Sequence, residues 1–424
     1  MFDLKENRNK VQKAILIGIQ HPKMTRQESD YLLEELEELT ANLDIPVAEK
    51  MVVKLRKPNP AYLIGTGKME EIIERAKEIE ADVIIFDDEL SPAQQRNWES
   101  VSKLCVIDRQ EVIIDIFSER AQTKEAVLQV QLARMQYSLP RLRRAWTHLS
   151  RQRGGGTGSR GQGETQLEAD SRLVNDRIAV VKKELKQVIK HRHVQRAKRL
   201  RKPIPTVAIV GYTNAGKSSL LNKMTDSEVL AADKLFATLD PTTRKMQLDD
   251  SQHVLVTDTV GFVRKLPHRL VDAFKATLEE AVVANLLIHV VDISNPEADE
   301  HHETTMKVMR EIGADQNPTL TVFNKIDQCI DSEKIDRIRI EYPDALFVSA
   351  ITGEGVDALK QAVSDSINDG LKSTELLVPH DRYDIISKLH ASGGIRTQDT
   401  RDDGVYIEGL FPEILSGLIT PFII

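Results

Sequence analysis

Val207-Ala-Ile-Val-Gly211-Tyr-Thr-Asn-Ala-Gly-Lys-Ser218 decides the fold of the central part of this chain. Its apolar start predicts a buried strand, and the residues after Ser218 predict a helix. Between them stands the spacing Gly-x-x-x-x-Gly-Lys-Ser, whose glycines let the backbone wrap closely around a phosphate group. Successive N–H groups and the helix N-terminus attract an anion, so we predict a phosphate-binding loop over 211–218. Lys217 is expected to reach the β- and γ-phosphates, and Ser218 to bind Mg²⁺.

Three later motifs, each placed after a run that predicts a strand, narrow the ligand to a guanine nucleotide. Asp258-Thr-Val-Gly261 offers a carboxylate to Mg²⁺ through water, and the N–H of its glycine can meet the γ-phosphate. Asn324-Lys-Ile-Asp327 ends in a carboxylate that can accept hydrogen bonds from N1 and the 2-amino group of guanine. Adenine lacks that donor pair and would leave the acid unpaired. Ser349-Ala-Ile351 is expected to touch the base.

A further segment, Phe236-Ala-Thr-Leu-Asp240-Pro-Thr-Thr, resembles the first switch of a known family. With the motifs above it is similar to the HflX family, in the translation-factor-related branch of P-loop GTPases. Arg151–Gln166 and Ala61–Lys68 also match that family, so the resemblance runs from about residue 12 to residue 370. It implies a GTP-hydrolysing enzyme that associates with the large ribosomal subunit and dissociates or rescues stalled or hibernating ribosomes. The alternative left open is a GTP-controlled ribosome assembly or RNA-anchoring factor that uses hydrolysis as a release timer.

The expected site residues follow from these motifs and, for the switch segment, from the resemblance. Those expected to take part in hydrolysis are Lys217, Thr238, Gly261 and Asn214. The Mg²⁺ ligands are expected to be Ser218, Thr238 in the GTP state, and Asp258 through water. GTP is expected to be bound by Gly211, Tyr212, Thr213, Asn214, Ala215, Gly216, Lys217, Ser218, Phe236, Ala237, Thr238, Leu239, Asp240, Asp258, Thr259, Val260, Gly261, Asn324, Lys325, Ile326, Asp327, Ser349, Ala350 and Ile351.

One position departs from a common pattern. Many GTPases orient the attacking water with a glutamine directly after Asp-x-x-Gly, but here that position is Phe262. A phenyl ring cannot orient water, so the chain is expected to hydrolyse GTP slowly unless help comes from elsewhere. Two sources are open: Asn214 resembles an asparagine that helps related GTPases to hold a monovalent cation such as K⁺, and a ribosomal subunit could order the switches.

Ahead of this region, residues 12–120 alternate β-branched runs with helical stretches, which predicts a mostly parallel sheet covered by helices. The expected strands are Ala14–Ile19, Val47–Leu55, Asp82–Asp87 and Leu104–Ile107, and the expected helices are Arg26–Ala41, Lys68–Ile79 and Pro92–Lys103. Gly65-Thr-Gly-Lys68 lacks the phosphate-loop spacing, so we expect it to be the turn before a helix. The family resemblance leaves ATP use by the N-terminal domain open.

Residues 121–202 are expected to form a helical hairpin, from Val127–Tyr137 and Gln166–Leu200, with a Gly/Arg loop at its tip. From residue 141 to residue 202 eighteen Lys and Arg face five Asp and Glu, a net charge of +13 in a chain whose total is -7. Such charge is usually a solvated face, but here it coincides with a glycine-rich tip. Together with the resemblance to the HflX family, this leads us to predict contact with rRNA. The expected contacts are Arg141, Arg143, Arg144, Arg151, Arg153 and Arg160.

The whole chain is therefore predicted to be a multidomain α/β protein. The expected domains are an N-terminal α/β domain with a parallel sheet at 1–120, the basic helical hairpin at 121–202, a P-loop GTPase domain with a mostly parallel sheet at 203–371, and a small C-terminal α/β domain at 372–424. In the last of these, Tyr383–His390 predicts a helix and Val405–Ile407 predicts part of a strand pair.

The remaining features of the sequence bear on where in the cell the protein is located. Cys105 and Cys329 are far apart and belong to no Cys/His cluster, which argues against a disulfide framework or a zinc site. The polar start at Met1 does not read as a signal peptide, and no apolar run approaches the ~18 residues that span a bilayer. We therefore expect a cytoplasmic monomer without stable membrane insertion; peripheral association with a membrane stays open.

Overall fold

The computed structural model describes residues 11–141, 160–199, 204–225, 235–248, 253–265, 278–329, 331–369, 371–392, 395–412 and 416–424. The chain divides into two compact units, Met1–Val188 with Arg264–Ala273, and Ile189–Val263 with Phe274–Ile424. β-Sheets with helices form the framework of both units, so the α/β fold class predicted from the sequence is confirmed. No helix in these ranges is long and apolar enough to cross a membrane.

The first unit contains a four-stranded parallel sheet in the order β2-β1-β3-β4. Its strands are β1 (Ala14–Gln20), β2 (Val47–Lys54), β3 (Val83–Phe86) and β4 (Cys105–Asp108), and the helices between them are α1 (Arg26–Asn42), α2 (Thr66–Glu78) and α3 (Pro92–Ser102). The central strands β1 and β3 are almost wholly buried, because helices cover both faces of a parallel sheet. All seven predicted elements are confirmed, with ends that move by no more than two residues.

Three further helices follow in this part of the chain. Helix α4 (Arg109–Arg120) was not predicted; the Asp108 side chain accepts the N–H of Glu111 at 3.0 Å and caps its start. Helices α5 (Lys124–Ser138) and α6 (Arg160–Arg199) confirm the helical content of the middle region. Helix α6 begins inside the stretch expected to be a Gly/Arg loop, so that loop ends earlier than predicted.

The predicted contact between Arg141 and RNA is wrong, because this side chain is buried in the first unit. Its Nε donates to Gln95 Oε1 at 2.8 Å and its Nη2 donates to Leu90 O at 2.7 Å. The guanidinium also lies 3.6 Å from the centre of the Tyr137 ring. Burial raises the pKa of the neighbouring Asp108 to about 6, while the charge of Arg141 opposes that shift. The positive charge of Arg141 thus stabilises the buried carboxylate of Asp108, and the Arg141 side chain is shielded from solvent.

The second unit is built on a six-stranded sheet in the order β10-β9-β8-β5-β7-β6. The strands are β5 (Thr206–Gly211), β6 (Thr242–Gln247), β7 (His253–Asp258), β8 (Leu286–Asp292), β9 (Thr319–Asn324) and β10 (Leu346–Phe347). All neighbours are parallel except β6 and β7, which confirms a mostly parallel sheet. Helices α7 (Lys217–Thr225), α8 (Ala298–Ile312), α9 (Ser332–Glu341) and α10 (Val356–Asn368) accompany it.

The C-terminal part of this unit forms a separate antiparallel sheet in the order β11-β13-β12. Its elements are β11 (Leu371–Val378), α11 (Tyr383–Ser392), β12 (Ile395–Arg401), β13 (Gly404–Pro412) and the short α12 (Ser416–Ile419). The predicted helix and strand pair are therefore confirmed. Ile385 and Leu389 of α11 share a buried cluster with Leu376 and Ile407 of the sheet, so this part has its own small core.

Candidate functional site

The loops that follow β5, β7, β9 and β10 meet around a cavity of about 240 Å³. In an open parallel sheet the carboxyl ends of the strands are where ligands bind. The cavity is lined by Thr213, Asn214, Gly216, Lys217, Ser218, Ser219, Phe236, Ala237, Thr238, Thr259, Gly261, Asn324, Lys325, Asp327, Gln328, Ala350 and Ile351. All of the predicted nucleotide-binding motifs, including the switch segment, thus contribute residues to the lining of one cavity.

Not every residue expected to bind GTP is part of the cavity lining. Those of the predicted set that lie outside the lining are Gly211, Tyr212, Ala215, Leu239, Asp240, Asp258, Val260, Ile326 and Ser349. Two lining residues, Ser219 and Gln328, were missed by sequence reasoning. Each directly follows a motif residue, Ser218 or Asp327, so adjacency in the chain was the available signal.

The phosphate loop is held in shape by Asn324 at the end of β9. Its Nδ2 donates to Ala215 O at 2.9 Å, and its Oδ1 accepts the Ala350 N–H at 3.0 Å. This side chain therefore connects the phosphate loop to the loop expected at the base. Gly216 has a φ of +88°, and a Cβ there would lie 2.3 Å from Asn324 Nδ2, so the close approach requires glycine.

The three predicted Mg²⁺ ligands lie together. Ser218 Oγ is 2.8 Å from Thr238 Oγ1 and donates to Asp258 Oδ2 at 2.6 Å. Asp258 Oδ1 is buried and has no hydrogen-bond partner among the described residues. Burial raises the pKa of Asp258, and the charge of Lys217 opposes that shift. Two hydroxyls beside a carboxylate are oxygen ligands of the kind that suit Mg²⁺, which would neutralise charge on the β- and γ-phosphates.

Lys217 and Asn214 contribute the polar groups of the phosphate loop that were assigned to hydrolysis. The Lys217 side chain is buried, and its Nζ donates to Tyr212 O at 2.7 Å. Burial lowers the pKa of Lys217 to about 8, and a bound phosphate would favour its charged form again. Asn214 has a left-handed φ of +59° and lines the cavity.

The motif expected to recognise guanine also contributes to the cavity lining. Asp327 lines the cavity and is exposed, so its carboxylate is accessible to a base. Lys325 of the same motif forms an ion pair with Asp292, with 2.7 Å between Nζ and Oδ2, and this pairing holds the lysine side chain in place. Sequence reasoning missed Asp292, although it is an acid at the end of a buried strand, the same signal that singled out Asp258.

Phe262 occupies a buried position behind the phosphate loop. Its side chain is 2% exposed, and its N–H donates to Gly211 O at 3.1 Å. Its carbonyl accepts the Thr213 N–H at 2.7 Å. The residue therefore acts through its backbone as a short extension of the sheet, and its ring cannot orient a water molecule.

The other predicted sites do not belong to the lining of this cavity. Gly65 precedes the first turn of α2, and Lys68 pairs with Glu71 at 2.5 Å, as expected for a helix start. Among the predicted RNA contacts, Arg143, Arg144, Arg151 and Arg153 lie outside the described residues. Arg160 begins α6, and its side chain also lies outside the described part.

Comparison with known proteins gives matches to four family models along the chain. The matching family models are a GTP-binding GTPase N-terminal region at residues 30–118, a GTP-binding GTPase middle region at 120–199, a 50S ribosome-binding GTPase at 206–325 and an HflX C-terminal domain at 337–410. A crystal structure of a GTP-binding protein from Sulfolobus solfataricus in complex with GDP matches at 24% identity and a TM-score of 0.43, covering 84% of this chain and 99% of that one.

Two full-length relatives carry the same family name. The GTPase HflX of Akkermansia muciniphila is 44% identical over 423 residues, which are 97% of each chain. The GTPase HflX of Escherichia coli K12 is 42% identical over 394 residues, 93% of this chain and 92% of that one. With this similarity over nearly its whole length, the chain belongs to the HflX family of P-loop GTPases, enzymes that bind and hydrolyse GTP.

Proposed function

We propose that this GTPase associates with the large ribosomal subunit and uses its nucleotide cycle to dissociate stalled or hibernating ribosomes. The observation that carries the proposal is an exposed basic face on helix α6. Arg172, Lys182, Lys183, Lys186 and Lys190 are all exposed on it. At 3.6 residues per turn they fall within an arc of about 100°. Five cations on one face form a surface for the phosphates of rRNA.

The face of α6 next to the basic arc is apolar and packs against the protein, so the basic face has a fixed direction. Ile178 and Val181 are buried, and Leu185 is partly buried. A helix that packs on one face and exposes lysines on another keeps its charges at constant spacing. The family model that matches residues 206–325 describes a 50S ribosome-binding GTPase, which agrees with a ribosomal partner.

A ribosomal partner would also compensate for the missing side chain that orients the attacking water. Phe262 cannot orient the attacking water, so the chain alone is expected to turn over GTP slowly. Phosphoryl transfer depends on positioning and charge neutralisation, and a partner that orders the switch segments supplies both. We therefore expect large ribosomal subunits to accelerate hydrolysis by this chain.

Sedimentation of 70S ribosomes with the full chain tests the proposal. With GTP or a non-hydrolysable analogue, we expect separate subunits to appear and the chain to move with the large one. A Lys186→Glu, Lys190→Glu variant should bind more weakly, and the salt dependence of its binding should be less steep. The matched control reverses the exposed Lys77 and Arg337, which lie on α2 and α9. Binding without separation in either nucleotide state would favour the alternative, a GTP-controlled assembly or RNA-anchoring factor.

We also propose K⁺ as a second source of catalytic help, with Asn214 as one of its ligands. Asn214 lies in the cavity beside Lys217, and its side-chain oxygen is a suitable ligand for a monovalent cation. Such a cation would add positive charge near the transferred phosphate. Replacing Na⁺ by K⁺ at constant ionic strength should raise the hydrolysis rate, and Asn214→Ala should abolish the difference. Equal rates in both salts would remove K⁺ from the mechanism.

A further inference from the structure

Thr213, in the phosphate loop, touches both segments that the nucleotide is expected to move. The first switch segment is defined here as residues 235–240 and the second as residues 258–262. The Phe236 N–H donates to Thr213 Oγ1 at 2.7 Å. The Thr213 N–H donates to Phe262 O at 2.7 Å. Thr213 is 5% exposed, so both hydrogen bonds are shielded from water.

The contact with the second switch segment is tight at the backbone. A Cβ on Gly261 would lie 2.6 Å from Thr213 Cα and 3.0 Å from Thr213 Cβ. Glycine is therefore required where the second switch segment crosses the phosphate loop. Gly261 is also the residue expected to meet the γ-phosphate. Because its backbone packs closely against Thr213, we expect a shift of that backbone to move Thr213 as well.

The contact with the first switch segment restrains an unfavourable backbone. Phe236 has a φ of +55°, in a region that bulky residues rarely adopt and that persists only where the surroundings hold it. Its ring is 1% exposed, and its N–H is bound by the Thr213 hydroxyl. Two residues later, Thr238 Oγ1 lies 2.8 Å from Ser218 Oγ. The hydrogen bond at Phe236 thus restrains the backbone that places the Thr238 hydroxyl beside Ser218.

We propose that the Thr213 hydroxyl is a positioning group that couples the two switch segments. It accepts the Phe236 N–H and so places Thr238 beside Ser218, while the backbone of the same residue follows Gly261 and Phe262. Removing this acceptor would break the buried hydrogen bond to the Phe236 N–H and weaken the restraint on the left-handed backbone of Phe236. The inference rests on nucleotide binding in this cavity and not on a ribosomal partner, so failure of the ribosome experiment would leave it intact.

The test compares Thr213→Val and Thr213→Ala, which remove the acceptor, with Thr213→Ser, which keeps it. The full-length chains are titrated with fluorescent GDP and a fluorescent non-hydrolysable GTP analogue over a range of Mg²⁺ concentrations. For Val and Ala, affinity for the GTP analogue should fall about tenfold, the scale of one buried hydrogen bond. The Mg²⁺ concentration for half-maximal binding should rise. Because Thr213 lines the cavity, affinity for GDP should also fall, but by a clearly smaller factor than affinity for the GTP analogue. Serine should restore wild-type behaviour.

Thr305→Val is the matched control for stability. Thr305 is fully buried on α8, and its hydroxyl donates to His301 O at 2.9 Å, outside the cavity. This variant should lower the melting temperature but leave both nucleotide affinities unchanged. The proposal is overturned if serine behaves like alanine, if GDP and the analogue weaken equally, or if Val and Ala bind both nucleotides as the wild type does. The smaller alanine covers the case in which valine does not fold.

Discussion

At the scale of single residues, Asp327 is where we expect nucleotide choice to be decided. Its carboxylate is exposed in the cavity and can accept two hydrogen bonds from guanine. In Asp327→Asn one acceptor becomes a donor and the charge is lost, so affinity for GTP should fall about a hundredfold. Xanthine carries a carbonyl in place of the 2-amino group, so the asparagine should bind XTP better than GTP. Competition titrations with GTP, XTP and ATP measure this, and an unchanged preference for GTP would contradict the assignment.

His289 on β8 makes the second unit sensitive to acid. Its ring is fully buried, and neither ring nitrogen has a hydrogen-bond partner among the described residues. Burial, then the nearby His302 and Lys217, lower the pKa of His289 to about 3. The unfolded chain gains this proton near pH 6.5 and the folded chain does not, so stability is full above pH 6.5 and falls as the pH drops.

We therefore expect the second unit to lose about 2 kcal/mol of unfolding free energy between pH 7.5 and pH 5 through His289. A His289→Leu variant should lose correspondingly less, because leucine fills the site without a titrating group. Urea unfolding at the two pH values gives the measurement. His390→Gln, a change at an exposed histidine on α11, serves as the control. An equal acid loss in His289→Leu and in the wild type would refute this explanation.

The sequence allowed some residues of the site to be predicted and concealed others, for a physical reason. The motifs Gly211–Ser218, Asp258–Gly261 and Asn324–Asp327 are contiguous, and each one places its own backbone and side chains at a strand end. Asp292 matters through a pairing with Lys325 that joins distant segments. Arg141 was misplaced for the same reason: its partners come from α3, β4 and α5, and nothing local to it predicts burial.

At the scale of elements, the start of helix α1 shows how local sequence fixes a boundary. The Thr25 side chain accepts the N–H of Glu28, and the Glu28 carboxylate accepts the N–H of Thr25 at 2.6 Å. This reciprocal capping satisfies two N–H groups that the helix leaves open. Thr25→Ala should weaken the first turn by about 1 kcal/mol, which hydrogen exchange would register as roughly fivefold faster exchange at residues 26–29. Thr25→Ser should exchange like the wild type; an alanine variant that did so would show that tertiary packing holds this turn.

Helices that follow a clear turn were predicted well, whereas helix α4, which has a side-chain cap at Asp108 but no turn before it, was not. Helices α1 and α3 each begin with a capping box, and their predicted starts agree with the structure. Helix α4 follows β4 with no intervening loop, so no turn separates the two elements in the sequence. Its Val-Ile-Ile stretch is a continuous apolar run and lacks the apolar spacing that predicts a helix. Nine of its twelve residues are buried, and four of these nine are polar, so polar residues do not mark a solvent-exposed face of this helix.

At the scale of the whole molecule, the division into two compact units predicts how the protein melts. The cavity is built entirely from residues of the second unit, Ile189–Val263 with Phe274–Ile424. A ligand stabilises only the unit that binds it, by about 2.7 kcal/mol when its concentration is a hundred times its Kd. Mg²⁺ and GDP should therefore raise the temperature of one calorimetric transition and leave the other unchanged. At the same GDP concentration Asp327→Asn should show a much smaller shift, because a hundredfold weaker affinity leaves only about 0.4 kcal/mol of stabilisation. If ATP binds the N-terminal domain, it should raise the temperature of the unfolding transition that GDP leaves unchanged. A single transition that shifts as a whole with GDP would mean that the two units unfold together.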